Sequence, residues 1–230
     1  MIFAGIVKTS LIDYPGKIAT VLFTPGCNYN CYYCHNRSLI EDFNYIVPNA
    51  EIEAYLEKRV GLIDGVVITG GEPTLHPDLI PYLKKLKAMG YLTKVDTNGS
   101  CPEVIQNCID ERAVDYFSVD YKAPKNRYME ICRGESNPDK VLTSINLLLQ
   151  AHMNFEVRTT VIPQLTLADL INMAEELPKV PRYVLNPYNK PIEYLESDQI
   201  LIDEPPYPEK QIAEFAETVK LYQPNVVLVF

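Results

Sequence analysis

Gly65-Val66-Val67-Ile68-Thr69-Gly70-Gly71-Glu72-Pro73 opens the part of the chain that decides the fold. A short β-branched apolar run closed by two glycines reads as a buried strand ended by a turn. Leu79, Tyr82, Leu83 and Leu86 then recur at helical spacing over residues 77–89, and Gly90 supplies the left-handed residue that stops the helix. Residues 91–95 form another apolar strand, ended by the turn Asp96-Thr97-Asn98-Gly99. Strand, helix and strand in this order make a βα unit, and repeated βα units imply a parallel sheet covered by helices.

The same alternation extends in both directions. Ile18-Ala19-Thr20-Val21-Leu22-Phe23 reads as a strand, as do residues 116–119, 155–162, 183–185 and 226–230. Helical spacing covers residues 51–59, 102–108, 140–152, 167–177 and 209–222. The expected fold is α/β, one domain over residues 1–230, with the sheet either doubly wound or closed towards a barrel. The proline-rich piece 203–208 reads as a loop before the last helix. The polar segments 25–36, 70–73, 96–99, 120–122 and 187–189 all follow strands. Parallel α/β proteins assemble ligand sites at the carboxyl ends of strands, so these segments should converge on one pocket.

The 230 residues carry 21 basic and 30 acidic side chains, a net charge of −9. A negative surface excludes a large phosphate-tracking footprint, so nucleic acid is not the expected partner. No apolar run approaches the ~18 residues of a membrane span, and no basic-then-apolar leader follows Met1. A cytoplasmic location is expected, where thiols stay reduced and six cysteines need an explanation other than disulfides.

Three of them, Cys27, Cys31 and Cys34, crowd into the turn-rich stretch Pro25-Gly26-Cys27-Asn28-Tyr29-Asn30-Cys31-Tyr32-Tyr33-Cys34-His35-Asn36. A loop can curl three thiolates towards one point, which an alternating strand cannot. Structural zinc wants a fourth ligand, and His35 is the nearest candidate; a redox pair would need only Cys31 and Cys34. Three thiolates on a 4Fe–4S cluster leave one iron open for chemistry, and this reading suits the spacing and the pocket context best. Cys101, Cys108 and Cys132 read as small buried apolar residues.

The CxxxCxxC pattern, with Tyr33 before its last cysteine, resembles the signature of the radical S-adenosylmethionine (SAM) superfamily. That resemblance implies a cluster on Cys27, Cys31 and Cys34 whose open iron chelates the amino and carboxylate groups of SAM. Gly70-Gly71-Glu72-Pro73 resembles the family's GGEP strand end: glycines admit the cofactor, and Glu72 accepts from its ammonium group. Within the superfamily the chain is most similar to glycyl-radical-enzyme activases, which are partial (β/α)6 barrels of the TIM type. Cys34-His35-Asn36 resembles their CHN extension, Asp96-Thr97-Asn98-Gly99 their DTNG turn, Asp120-Tyr121-Lys122 their D-x-K strand end, and residues 157–163, including Arg158, the strand that follows. The resemblance assigns Tyr33, His35, Gly70, Gly71, Glu72, Asp96, Asn98, Asp120, Lys122, Arg158 and Asn189 to cofactor binding. It pairs Lys122 with the SAM carboxylate, and it matches Asp96 and Asp120 to positions that hold a monovalent cation in pyruvate formate-lyase activases.

The chain departs from those activases at two places. Asn189 stands where they have a histidine, so it can bond a ribose hydroxyl but cannot titrate. Asp13-Tyr14-Pro15-Gly16-Lys17 replaces their DGPG stretch. Both features are more like the activating proteins of anaerobic ribonucleoside-triphosphate reductase. Only residues 36–70 separate His35 from Gly71, too few for a ferredoxin-like insert, so one cluster is expected. The implied partners are a glycyl radical enzyme as protein substrate and a reductant of flavodoxin or ferredoxin type. The rival readings are an activase of a pyruvate formate-lyase-like enzyme, a small-molecule enzyme of the deazaguanine-synthase type, and a non-catalytic metal-binding scaffold.

Overall fold

A single sheet of eight strands, in spatial order β1 to β8, organises the computed structural model, which describes residues 1–40 and 45–229. β1 (Gly5–Ser10) runs antiparallel to β2 (Ala19–Thr24). From β2 the strands β3 (Gly65–Gly70), β4 (Leu92–Thr97), β5 (Tyr116–Asp120), β6 (Phe155–Val161), β7 (Tyr183–Pro187) and β8 (Val226–Leu228) are all parallel. β1 and β8 are the two ends of the sheet, so the barrel is open along one side, as expected of a partial TIM-type architecture.

Outer helices α1 (Asn49–Glu57), α2 (Leu79–Ala88), α3 (Pro102–Asp110), α5 (Pro138–Gln150), α6 (Leu167–Glu176) and α8 (Glu209–Val219) alternate with the strands, and two short ones, α4 (Tyr128–Cys132) and α7 (Gln199–Ile202), lie in loops. Three of the long helices have a legible start or stop. α2 ends before Gly90, whose φ is +96°. The Asn137 side chain accepts from the amides of Asp139 and Lys140 at the head of α5, and Thr166 with Asp169 forms a reciprocal capping box on α6.

Strand alternation sorts the side chains into two apolar layers. Leu22, Val66, Ile68, Val95, Phe117 and Val157 face outward into the large core shared with Leu83, Leu86, Ile105, Ile145 and Leu170. Ala19, Val21, Val67 and Tyr14 face inward, with Phe23, Leu92 and Tyr116 packed against them. Burial of each large side chain is worth about 1.5–3 kcal/mol, which favours the β-branched and aromatic residues that make up most of β2 and β3.

The parallel strands lie where the sequence places them. β1 was not foreseen, because an edge strand is only half buried and its Lys8 and Thr9 weaken the apolar signal. α4 and α7 are too short to show a period. The expected strand 226–230 ends at Leu228, and its last position, Phe230, lies outside the described residues. Among the described residues no helix is long and apolar enough to cross a membrane.

Candidate functional site

The cysteine loop leaves β2 at Thr24 and is held from three sides. The Gly26 amide donates to Leu39 O at 2.7 Å, the Glu72 amide donates to Gly26 O at 2.8 Å, and His76 Nε2 lies 2.9 Å from Pro25 O. From the opposite side the Asn30 amide donates to Cys132 O and the Glu135 amide to Asn28 O, both at 2.9 Å. The Asn98 side chain reaches in from the β4 turn, donating to Asn28 Oδ1 at 2.9 Å and to Cys27 Sγ at 3.8 Å. The Tyr29 amide also donates to Cys27 Sγ, at 3.4 Å. Such N–H···S bonds fix a ligand sulfur and tune the potential of a group it holds.

Two glycines permit the close packing. Gly70 has φ +118°, and a Cβ there would lie 2.4 Å from Thr24 N; at Gly71 it would lie 1.9 Å from Gly26 O. A Gly71→Ala chain is therefore expected to displace the loop and lose cluster binding, read as iron bound after anaerobic reconstitution. Iron content equal to that of the parent would contradict this placement.

Cys27, Cys31 and Cys34 open onto one cavity of about 220 Å³, together with Tyr33, His35, Gly70, Gly71, Asp96, Asn98, Asp120, Lys122 and Arg158. Parallel register aligns the strand ends that deliver these groups, with Thr24 beside Gly70 and Asp120 beside Arg158. The cavity also takes in Asn36, Thr69, Thr97 and Thr160, which the sequence reading did not single out. Asn36 sits in the CHN stretch and donates to Gly70 O at 3.0 Å, and Thr160 lies two residues from Arg158 on the same strand face.

One side of the cavity is ionic. Arg158 bridges two carboxylates, with its NH1 group 2.9 Å from Asp96 Oδ2 and Nε 3.1 Å from Asp120 Oδ1. Lys122 Nζ lies 2.9 Å from Asp120 Oδ2, and Lys94 Nζ bonds Asp96 Oδ1. Burial alone would push the Asp120 carboxyl up, but Lys122 and Arg158 outweigh it and hold the group at about 2. Burial would likewise lower Lys122 and Arg158, yet the facing carboxylates hold both above their ordinary values.

Two expected cofactor contacts have other partners here. Glu72 is fully buried and does not line the cavity. Its Oε1 accepts from the Thr74 amide (3.0 Å), Thr74 Oγ1 (2.5 Å) and Thr97 Oγ1 (2.7 Å), and its Oε2 accepts from the Asn98 amide (2.7 Å). The carboxylate thus clamps the β3 turn to the β4 turn, instead of facing an ammonium group, and burial pushes it above the usual carboxylate range. Asn189 is exposed and outside the cavity lining. Its backbone, not its side chain, approaches the His35 ring, whose ordinary value burial lowers.

The donor set fits a polynuclear cluster. Among the described residues no three His, Cys, Asp or Glu side chains gather tightly enough for a single metal ion, whereas the three thiols share a cavity wall. The Tyr33 hydroxyl, buried in the same wall, has no hydrogen-bond partner, which marks a space for a polar ligand. Burial and the neighbouring Glu72 push the Cys27 thiol up to about 12, and burial also raises Cys34, so metal binding must displace both protons. Cys31 is held low by a hydrogen bond from Cys132, which is itself buried and pushed up. Cys132 is thus more than a remote packing residue, while Cys108 lies in the outer core.

Comparison with known proteins agrees with this geometry. Residues 21–177 match the family model of the radical SAM superfamily. A Methanocaldococcus jannaschii protein, provisionally named as a glycyl-radical enzyme activating enzyme, is 34% identical over 98% of this chain and 94% of its own. A 7-carboxy-7-deazaguanine synthase of Halobacterium salinarum is 37% identical over a shorter stretch, 37% of this chain and 33% of its own. Among solved structures, TYW1 with a lysine–pyruvate adduct bound superposes with a TM-score of 0.64 at 19% identity, covering 89% of this chain and 74% of that one, a likeness of fold. Three thiols on a loop after the first parallel strand, a glycine-lined cavity beside them and a family match across most of the sheet lead to one conclusion: the chain is an enzyme belonging to the radical SAM superfamily, whose cofactors are a 4Fe–4S cluster and S-adenosylmethionine.

Proposed function

We propose that the chain is a glycyl-radical-enzyme activase, which removes a hydrogen atom from a backbone glycine of a partner enzyme. The observation that carries this reading is the shared cavity: the three thiols on one wall and the ion-paired Asp96, Asp120, Lys122 and Arg158 on the other. The near-full-length similarity to the M. jannaschii protein supports the activase assignment. Cys27, Cys31 and Cys34 would hold the cluster, which when reduced supplies one electron to cleave SAM into methionine and a 5′-deoxyadenosyl radical. Lys122 would pair with the SAM carboxylate, and the Gly70-Gly71 turn would let the cofactor's amino acid end approach the backbone. Tyr33, His35 and Asn98 would shape the rest of the site. Asp120 and Arg158 would fix Lys122 and its surroundings through their ion pairs.

The finer reading is activation of anaerobic ribonucleoside-triphosphate reductase, supported by the Asp13-Tyr14-Pro15-Gly16-Lys17 stretch and by asparagine at position 189. A flavodoxin- or ferredoxin-type protein would supply the electron. The similarity to the deazaguanine synthase spans too little of the chain to favour a small-molecule substrate. Anaerobically reconstituted protein, reduced with dithionite, is expected to turn SAM into 5′-deoxyadenosine and methionine. Retention of zinc with no cleavage would overturn the enzymatic reading.

A further inference from the structure

Lys94 is almost fully buried, 1% exposed, yet it lies behind the cavity and does not line it. It sits on β4 two residues before Asp96, so strand alternation places both side chains on the inner face of the barrel. Its ammonium bonds Asp96 Oδ1, and its other neighbour is the face of Tyr116, 6.0 Å from the ring centroid. Arg158 takes Asp96 Oδ2 and Asp120 Oδ1, and Lys122 takes Asp120 Oδ2. All four carboxylate oxygens therefore face a tethered cation. Lys94, Arg158 and Lys122 between them thus cover both oxygens of Asp96 and both oxygens of Asp120.

The expectation of a mobile monovalent cation at Asp96 and Asp120 does not fit this arrangement. A further cation would have to share oxygens that already face Lys94, Arg158 and Lys122, and it would be repelled by all three. We propose that Lys94 is a built-in cation: a positioning residue whose ammonium occupies Asp96 from below, so that the SAM site works without a monovalent metal ion. Its role runs through Asp96 and Arg158. Lys94 neutralises one Asp96 oxygen, which leaves Arg158 free to span both carboxylates and Lys122 free to point its remaining donors into the cavity. The proposal rests on the reading of the cavity as a SAM site, and its test separates the two.

Thallium(I), a potassium mimic, is titrated into the protein, both apo and reconstituted with SAM, and its nuclear magnetic resonance line is followed. SAM cleavage is measured in parallel in potassium, sodium and choline chloride. Wild-type protein is expected to show no saturable thallium binding and less than about a twofold change in cleavage among the salts. Lys94→Ala, checked for folding by circular dichroism, is expected to gain saturable thallium binding. Its cleavage should fall in choline and recover at least about tenfold with potassium or methylammonium, which refill the vacated charge. A purely structural Lys94 would show no ion-specific recovery, and that result would overturn the proposal. So would saturable thallium binding by the wild type. Wild-type protein that cleaves no SAM in any salt would instead defeat the enzymatic reading, while the thallium titration of the apo-protein still decides for or against Lys94.

Discussion

Cys31→Ala is expected to take bound iron from about four atoms per chain to almost none after anaerobic reconstitution, and to abolish SAM cleavage with it. Three thiolates are the fewest that hold such a cluster with one iron open, so no spare ligand on the loop can compensate. Cys31 is also the middle one of the three thiols and the buried one, whereas Cys27 and Cys34 are partly exposed. Its neighbour Cys132 holds it low, which favours the thiolate form that binds metal. Cys108→Ala is the matched control, because Cys108 is buried on the outer helix α3 and does not line the cavity. That variant should keep its iron. Full iron content in Cys31→Ala would remove the cysteine loop from the chemistry altogether.

The second large effect is on stability and comes from Glu72. Replacing it with alanine strands the amides of Thr74 and Asn98 in the interior, together with the Thr74 and Thr97 hydroxyls. Each buried donor left without a partner costs about 1–3 kcal/mol, so the two amides alone cost about 4 kcal/mol. For a chain of this size the melting temperature should fall by about 10 °C. Glu72→Gln should lose less, since one oxygen already accepts three of the four bonds and an amide keeps that acceptor. Thermal melting of the apo-protein reads this directly. A melting temperature unchanged in Glu72→Ala, with SAM affinity sharply weakened, would return Glu72 to the ammonium-binding role that the GGEP turn suggests.

The contrast between Cys31 and Glu72 shows what one sequence can tell. Cysteine spacing is local, and that of Cys27, Cys31 and Cys34 points to a cluster loop because few other uses of thiols need the pattern. The parallel strands are equally plain: Val66-Val67-Ile68 is buried on both faces, so almost any polar residue there would be costly. β1, with one face at the sheet edge, has no such constraint, and its pattern is correspondingly weak. A turn acid such as Glu72 looks the same in sequence whether it faces a ligand or two backbone amides, because the deciding partners Thr97 and Asn98 lie on a different strand end. Asn189 shows the same limit: position after a strand says where a residue is, not which way it faces. Lys94 could have been found, since Leu92, Lys94 and Asp96 share one parity of a strand whose other face is Thr93 and Val95. A lysine on the inner face of a barrel needs a buried anion, and Asp96 is the nearest one in sequence.

The central claim is that this cavity generates a radical for use on a protein glycine. Its most direct test is electron paramagnetic resonance of an anaerobic ribonucleoside-triphosphate reductase of the glycyl radical type, after anaerobic incubation with the reconstituted protein, reductant and SAM. The expected result is a doublet that collapses to a singlet when the partner's glycine carries deuterium at its α-carbon, with that deuterium recovered in 5′-deoxyadenosine. Efficient SAM cleavage with no glycine-centred signal on the partner, and no deuterium transferred, would contradict it.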